Sequence, residues 1–124
     1  MPYFWLVIKA IFSSNHTTDS LDTVKQRLAS KEAVLIDVRE LTEWNEGHLE
    51  DAKLVPLSDI RYPQKRIDAT KDLSKEEIIY CHCRSGKRVF IATHYLTKDG
   101  YDCRPLKAGY EVLLSEGFES AKQE

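Results

Sequence analysis

The sequence lacks several features that would assign it to a specialised class of protein. Its 124 residues carry a formal net charge of −2, so no overall positive field is available to hold nucleic acid. It shows no internal repeat and no low-complexity stretch. Three cysteines cannot all pair with one another, which argues against the disulfide framework of a small secreted domain. With 42% hydrophobic and 31% charged residues, the composition is typical of one compact soluble domain.

A long apolar run is also missing. The stretch from Pro2 to Phe12 is apolar apart from Lys9, but a membrane-spanning helix needs roughly 20 apolar residues. As a signal peptide it lacks a basic start and a small-residue cleavage site. We interpret residues 1–19 as an apolar and polar extension, either an extra strand or helix packed on the domain or the remnant of an export or anchoring segment. The cysteine content favours a reducing compartment such as the cytoplasm, while the apolar start leaves an exported or periplasmic location open.

Apolar spacing predicts strands that alternate with helices across a domain of residues 20–119, followed by a short tail of residues 120–124. The predicted strands cover 33–38, 53–55, 77–82 and 101–106. The predicted helices begin at about 20, 40, 58, 87 and 110. This alternation predicts an α/β fold with a central, mostly parallel sheet and helices on both faces. In such sheets, functional sites form at the carboxyl ends of the strands.

One loop at such a strand end concentrates reactive chemistry. Cys83 follows the third predicted strand, and a helix begins a few residues later. The free N–H groups and the positive dipole end of that helix would point towards the sulfur. Arg84, Lys87 and Arg88 add positive charge, and Gly86 permits a tight turn. These features favour the thiolate over the thiol, which predicts a nucleophile inside an anion-binding pocket.

Spacing within the loop separates two chemistries that would suit this pocket, phosphate-ester hydrolysis through a phosphocysteine and sulfur transfer through a persulfide. Protein tyrosine phosphatases place five residues between their cysteine and arginine. Here four residues separate Cys83 from Arg88, and six separate Cys81 from Arg88. The shorter loop makes a smaller cradle, which suits the outer sulfur of a sulfur donor better than a phosphoryl group.

The loop Cys-Arg-Ser-Gly-Lys-Arg at 83–88 resembles the active-site loop of rhodanese sulfurtransferases. Residues 34–40 (VLIDVRE), 43–44 (EW) and 47–49 (GHL) resemble the family's amino-terminal signature, and 106–110 (LKAGY) resembles its carboxy-terminal one. The resemblance runs from about residue 21 to residue 118 and implies the rhodanese-like α/β fold. Two residues depart from the family pattern: Asp51 and Ala108 each stand where a glycine is usual.

The resemblance implies a thiosulfate-type sulfurtransferase that needs no cofactor and no metal. Its substrates would be a small anionic sulfur donor and an acceptor, either cyanide or a thiol, including that of a thioredoxin-like protein; we expect no nucleic-acid partner and no membrane partner. The residues assigned by this resemblance are Cys83 as the catalytic nucleophile, Arg84, Ser85, Gly86, Lys87 and Arg88 as substrate-binding residues, and Asp37 as a supporting residue. The alternatives are a non-catalytic rhodanese-type interaction module and a cysteine-dependent phosphatase or arsenate reductase.

Several neighbouring residues receive simpler interpretations. Cys81 and Cys103 read as small buried hydrophobic residues. A metal site built on Cys81 and Cys83 is disfavoured, because structural zinc sites usually combine two separate ligand pairs. His82 should point away from Cys83, since consecutive strand side chains alternate between faces. Arg39 and the glutamate after it are predicted to form a surface pair.

Overall fold

The computed structural model describes residues 15–122, so the interpretation of residues 2–12 as a strand, a helix or an export remnant lies outside the described residues. Helices and strands alternate almost throughout the described chain. They are, in order, α1 Leu21–Ala29, β1 Ala33–Asp37, α2 Leu41–Glu46, β2 Ala52–Leu54, α3 Leu57–Ile60, α4 Pro63–Ala69, β3 Ile78–His82, α5 Arg88–Lys98, β4 Asp102–Pro105 and α6 Tyr110–Ser115. Within residues 15–122, no helix has the length and apolar character required to cross a membrane.

The four strands form one sheet in the order β2-β1-β3-β4, and every neighbouring pair is parallel. β1 and β3 lie side by side, with Asp37 opposite His82 at their carboxyl ends. The residue that follows β3 is Cys83, so the loop predicted to be reactive begins at the edge of the sheet where Asp37 ends β1. The predicted parallel α/β fold is confirmed.

Helices cover both faces of the sheet, each over its own apolar core. One core combines Ile36 and Ile79 of the strands with buried residues of α3 and α5. The other combines Leu35 and Tyr80 with Val24 of α1 and a leucine of α6. Side chains alternate along a strand, so β1 and β3 supply both cores at once and read as continuous apolar runs.

The ends of the helices follow local signals in the sequence. Ser20 precedes α1, and its hydroxyl accepts a hydrogen bond from the Thr23 amide at 3.1 Å. A single helix was expected to start near residue 58 and to be interrupted by Pro63. Instead, Pro63 is the first residue of a separate helix, α4. Proline suits that position because the first helical N–H needs no partner within the helix.

Candidate active site

Cys83 lies where β3 passes into the loop of residues 83–88, and its side chain is fully buried. The Gly86 amide donates a hydrogen bond to the Cys83 sulfur, with 3.2 Å between N and Sγ. The Cys83 carbonyl accepts a hydrogen bond of 2.9 Å from the amide of Tyr110, the first residue of α6. The loop therefore curls back over its own sulfur, and α6 fixes the backbone that bears it.

Two glycines make this close packing feasible. Gly86 has a φ of 80°, and a Cβ there would stand 2.7 Å from the Lys107 carbonyl oxygen. A Cβ on Gly109 would collide with the carbonyl of Arg84. Gly109 is the second residue of the signature pair in which Ala108 replaces the usual first glycine. The close approach falls on the glycine that is present, which explains why the replacement leaves the loop packing intact.

The positive side chains of the loop divide into two kinds. Arg84 and Lys87 are exposed, as is Ser85 between Arg84 and Gly86. Arg88 instead donates two hydrogen bonds to the Glu43 carboxylate, at 2.6 and 2.8 Å. These bonds lower the pKa of Glu43 to about 2 and raise that of Arg88.

Glu43 was missed as a site residue, although its Glu-Trp dipeptide formed part of the sequence resemblance. It lies in α2, the helix that follows β1, and so joins that helix to the start of α5. The sequence signal was present, but nothing in the spacing paired Glu43 with Arg88, which is 45 residues away.

Asp37 and Arg39 form a buried ion pair at the end of β1, and the predicted surface pair of Arg39 with the following glutamate is wrong. Arg39 Nε lies 3.0 Å from both Asp37 oxygens, and its Nη2 lies 2.8 Å from Oδ2. Arg39 is only 4% exposed, because its guanidinium packs 4.3 Å over the Tyr110 ring and also binds the Gly47 carbonyl. Asp37 thus reaches the loop indirectly, through Arg39 and Tyr110.

His82 occupies the other side of β3 from Cys83. Its Nε2 lies 3.8 Å from Asp37 Oδ2, and the whole residue is buried. Burial lowers the pKa of His82, since a charged imidazolium is disfavoured away from water. Burial therefore disfavours the charged form of His82, whose ring lies beside the Asp37–Arg39 pair, on the face of the sheet away from the Cys83 sulfur.

The other two cysteines form a separate sulfur cluster with Thr93. Cys81 Sγ lies 3.6 Å from Cys103 Sγ and 3.5 Å from Thr93 Oγ1, and all three cysteines are free thiols. Burial raises the pKa of Cys81 well above its usual value. Among residues 15–122, no cluster of three His, Cys, Asp or Glu side chains could hold a metal ion.

A pocket of about 180 Å³ opens beside the loop. Its lining combines the positive side chains of Arg39 and Arg84 and the ring of Tyr110 with three carboxylates, those of Glu43, Glu46 and Glu111. Arg84 directly follows Cys83 in the chain, so this pocket lies next to the loop and has side chains of both charges on its walls.

Comparison with known proteins agrees with this geometry. A model of the rhodanese-like domain matches residues 20–116. A Schizosaccharomyces pombe protein, provisionally named a mitochondrial thiosulfate sulfurtransferase, is 37% identical over 84 residues, covering 62% of this chain and 59% of the relative. A sulfurtransferase of Allochromatium vinosum is 36% identical over 81 residues, covering 64% of this chain and 70% of that protein.

The fold agrees with solved structures as well. The human single-domain sulfurtransferase TSTD1 superimposes with a TM-score of 0.68 at 26% identity, covering 82% of this chain and 98% of that one. With a Bacillus subtilis relative the match covers 42% of that protein, so this chain spans about half the length of the first curated relatives it matches. Loop, sheet and comparisons together show that the chain belongs to the rhodanese-like domain family.

Proposed function

We propose that this protein is a rhodanese-type sulfurtransferase that carries sulfane sulfur as a persulfide on Cys83. The observation that carries the proposal is the 3.2 Å hydrogen bond from the Gly86 amide to the Cys83 sulfur, inside a loop whose exposed side chains include two cations. An amide donor directed at a buried sulfur stabilises negative charge on it. The names of the relatives support sulfur transfer in general, and the choice of thiosulfate as donor belongs to this proposal.

In the proposed first half-reaction, the Cys83 thiolate attacks the outer sulfur of thiosulfate. A new sulfur–sulfur bond forms to Cys83, the sulfur–sulfur bond of thiosulfate breaks, and sulfite leaves with the electron pair. Arg84 and Lys87 attract the dianionic donor from solvent, and Ser85 offers a hydroxyl at the same rim. Arg88 contributes positive charge at the start of α5 while Glu43 holds its side chain.

In the second half-reaction, a nucleophilic acceptor removes the outer sulfur. Cyanide attacks that sulfur, the bond to Cys83 breaks, and thiocyanate leaves while the thiolate is restored. A thiolate acceptor reacts in the same way and leaves as a persulfide, and a thioredoxin-like protein could supply that thiolate. The Gly86 amide stabilises the anionic sulfur of Cys83 before and after each transfer.

The test separates sulfur loading from turnover. We expect incubation with thiosulfate to add the mass of one sulfur atom to the intact protein, and cyanide then to release thiocyanate. Cys83→Ala should abolish both results, whereas Cys81→Ala, two residues earlier and within β3, should preserve both. A wild-type protein with neither adduct nor turnover would refute the proposal, and rapid hydrolysis of an aryl phosphate would favour the phosphatase alternative.

A further inference from the structure

A short arm of residues 15–20 precedes α1 and lies against the end of the sheet that bears the loop. The Thr17 amide donates a hydrogen bond of 2.7 Å to the Pro105 carbonyl at the end of β4. The Asp19 carboxylate accepts hydrogen bonds from the Tyr80 hydroxyl at 2.7 Å and from Arg104 at 2.8 Å. It also pairs with Arg27 at 3.0 Å. These bonds lower the pKa of Asp19, Arg104 having the largest effect, and they attach the arm to both β3 and β4.

The arm brings His16 onto the reactive loop. His16 Nε2 lies 2.6 Å from the Gly86 carbonyl oxygen. A carbonyl oxygen only accepts hydrogen bonds, so Nε2 bears the proton and donates it. The imidazole also packs against the Phe90 ring, with 4.5 Å between ring centroids. Phe90 belongs to the first turn of α5, so His16 contacts both the loop and the helix that the loop begins.

A contact at Gly86 matters because this residue carries the donor to the sulfur and has a flexible backbone. Its amide is the donor to the Cys83 sulfur, and its φ of 80° lies in a region that glycine enters and leaves at little cost. A bond to its carbonyl fixes the plane of the Gly86–Lys87 peptide. Because a trans peptide directs its C=O and N–H to opposite sides, the same bond also fixes the direction of the Lys87 amide.

We propose that His16 is a positioning residue of the Cys83 loop, which holds Gly86 so that the Gly86 amide stays directed at the sulfur. His16 does not touch the sulfur and acts through the Gly86 backbone. It lies four residues before the part of the chain that matches the family model, residues 20–116. The proposal rests on Cys83 being the reacting sulfur.

The experiment compares three variants with the wild-type chain. His16→Ala removes the donor. His16→Gln replaces it, because the glutamine amide nitrogen stands as many bonds from the backbone as Nε2 does. His94→Ala is the matched control, since it removes a half-buried histidine of α5 that takes no part in the loop. Two rates are measured at neutral pH: alkylation of Cys83 by iodoacetamide, assigned by fragment-ion mass spectrometry, and single-turnover sulfur loading from thiosulfate.

We expect His16→Ala to lower both rates about three- to tenfold, the effect of one partly buried hydrogen bond. His16→Gln should return both to within about twofold of the wild type, and His94→Ala should leave them unchanged. If His16 only filled space, the alanine and glutamine variants would not differ in this way. Thermal unfolding of each variant is measured as well, to show that all of them are folded under the assay conditions.

Three outcomes would overturn the proposal. Unchanged rates in His16→Ala would show that the loop holds Gly86 without the arm. Equal losses in the alanine and glutamine variants, or an equal loss in His94→Ala, would show that the effect is one of general packing. If the wild-type protein is alkylated but never loads sulfur, the proposed function fails, while the alkylation rates still decide the role of His16.

Discussion

Cys81 lies in β3 and Cys83 directly follows the end of that strand, and neither side chain is exposed to solvent. Their surroundings nevertheless differ in kind. The Cys83 sulfur accepts a hydrogen bond from the Gly86 amide, in a loop with exposed cations. The Cys81 sulfur faces the Cys103 thiol, the Thr93 hydroxyl and backbone carbonyls, so most of the groups around it are acceptors or neutral.

The difference shows that two equally buried thiols can have quite different hydrogen-bond donors around them. Burial without compensating donors raises the pKa of Cys81, because a thiolate there would lose its hydration and gain little in return. At Cys83 the protein supplies a directed amide in place of water. The chain keeps the two environments apart by ending the strand between them, so that one sulfur belongs to the sheet and the other to the loop.

The largest expected effect comes from removing one thiol or the other by substitution with alanine. Cys83→Ala should reduce thiocyanate formation by at least about 1,000-fold, because no other nucleophile replaces it. Cys81→Ala should change turnover less than about threefold and cost about 1–2 kcal/mol of stability through the small cavity it leaves. Steady-state assays measure the turnover of both variants, and urea denaturation measures their stability. Comparable losses of turnover in the two variants would contradict the different roles assigned to the two cysteines.

The sequence alone predicted the order of strands and helices and the place of the Cys83 loop after the third strand, because each has a local signal. The runs at 33–38 and 77–82 carry apolar residues at both odd and even positions and are short, which is typical of strands in a sheet covered on both faces. Cys83 stood out because a strand, a glycine and a cationic helix start surround it within six residues. Each of these signals lies within a short stretch of sequence, so it can be recognised without knowing which distant residues are in contact.

What the sequence could not provide were the contacts between distant segments. Arg39 looked like a surface residue, since nothing local showed that Tyr110 would pack over it. Glu43 and Arg88 meet across 45 residues, and His16 meets Gly86 across 70. Each of these pairs depends on how the helices pack around the sheet. Apolar periodicity shows which face of a helix is buried, but it does not show which residues that face will contact.

The second prediction uses alkaline pH to expose the sulfur cluster. The folded-state pKa of Cys81 is raised above the ordinary value of 9.0, so above that pH the unfolded chain releases a proton that the folded chain retains. The stability that Cys81 contributes is therefore complete below pH 9 and declines as the pH rises. Between about pH 8.5 and 10, the wild type should lose about 1 kcal/mol more than Cys81→Ala does.

Urea denaturation at both pH values measures this difference. Burial also raises the pKa of Tyr80, but that residue is present in both proteins and its contribution cancels. Equal losses of stability in the wild type and Cys81→Ala would mean that Cys81 ionises as readily in the folded chain as in the unfolded one. In that case the difference between Cys81 and Cys83 would lie in the access of small molecules to each sulfur and not in the negative charge that the sulfur can carry.

The smallest expected effect is the loss of the Glu43–Arg88 ion pair beside the Cys83 loop at acid pH. The hydrogen bonds from Arg88 lower the pKa of Glu43 from 4.5 to about 2, so the pair's stabilisation is complete above about pH 4.5 and is lost as the pH falls towards 2. Glu43→Gln should cost about 1 kcal/mol at neutral pH, the value of a well-aligned pair at a partly exposed site. Thermal unfolding should show this cost shrinking steadily below about pH 4.5. If the stability lost in Glu43→Gln stayed constant down to low pH, Glu43 would contribute by its shape and not by its charge. With the expected decline, stability at acid pH depends on the Glu43–Arg88 pair beside the Cys83 loop, and stability at alkaline pH depends on Cys81 in the sulfur cluster.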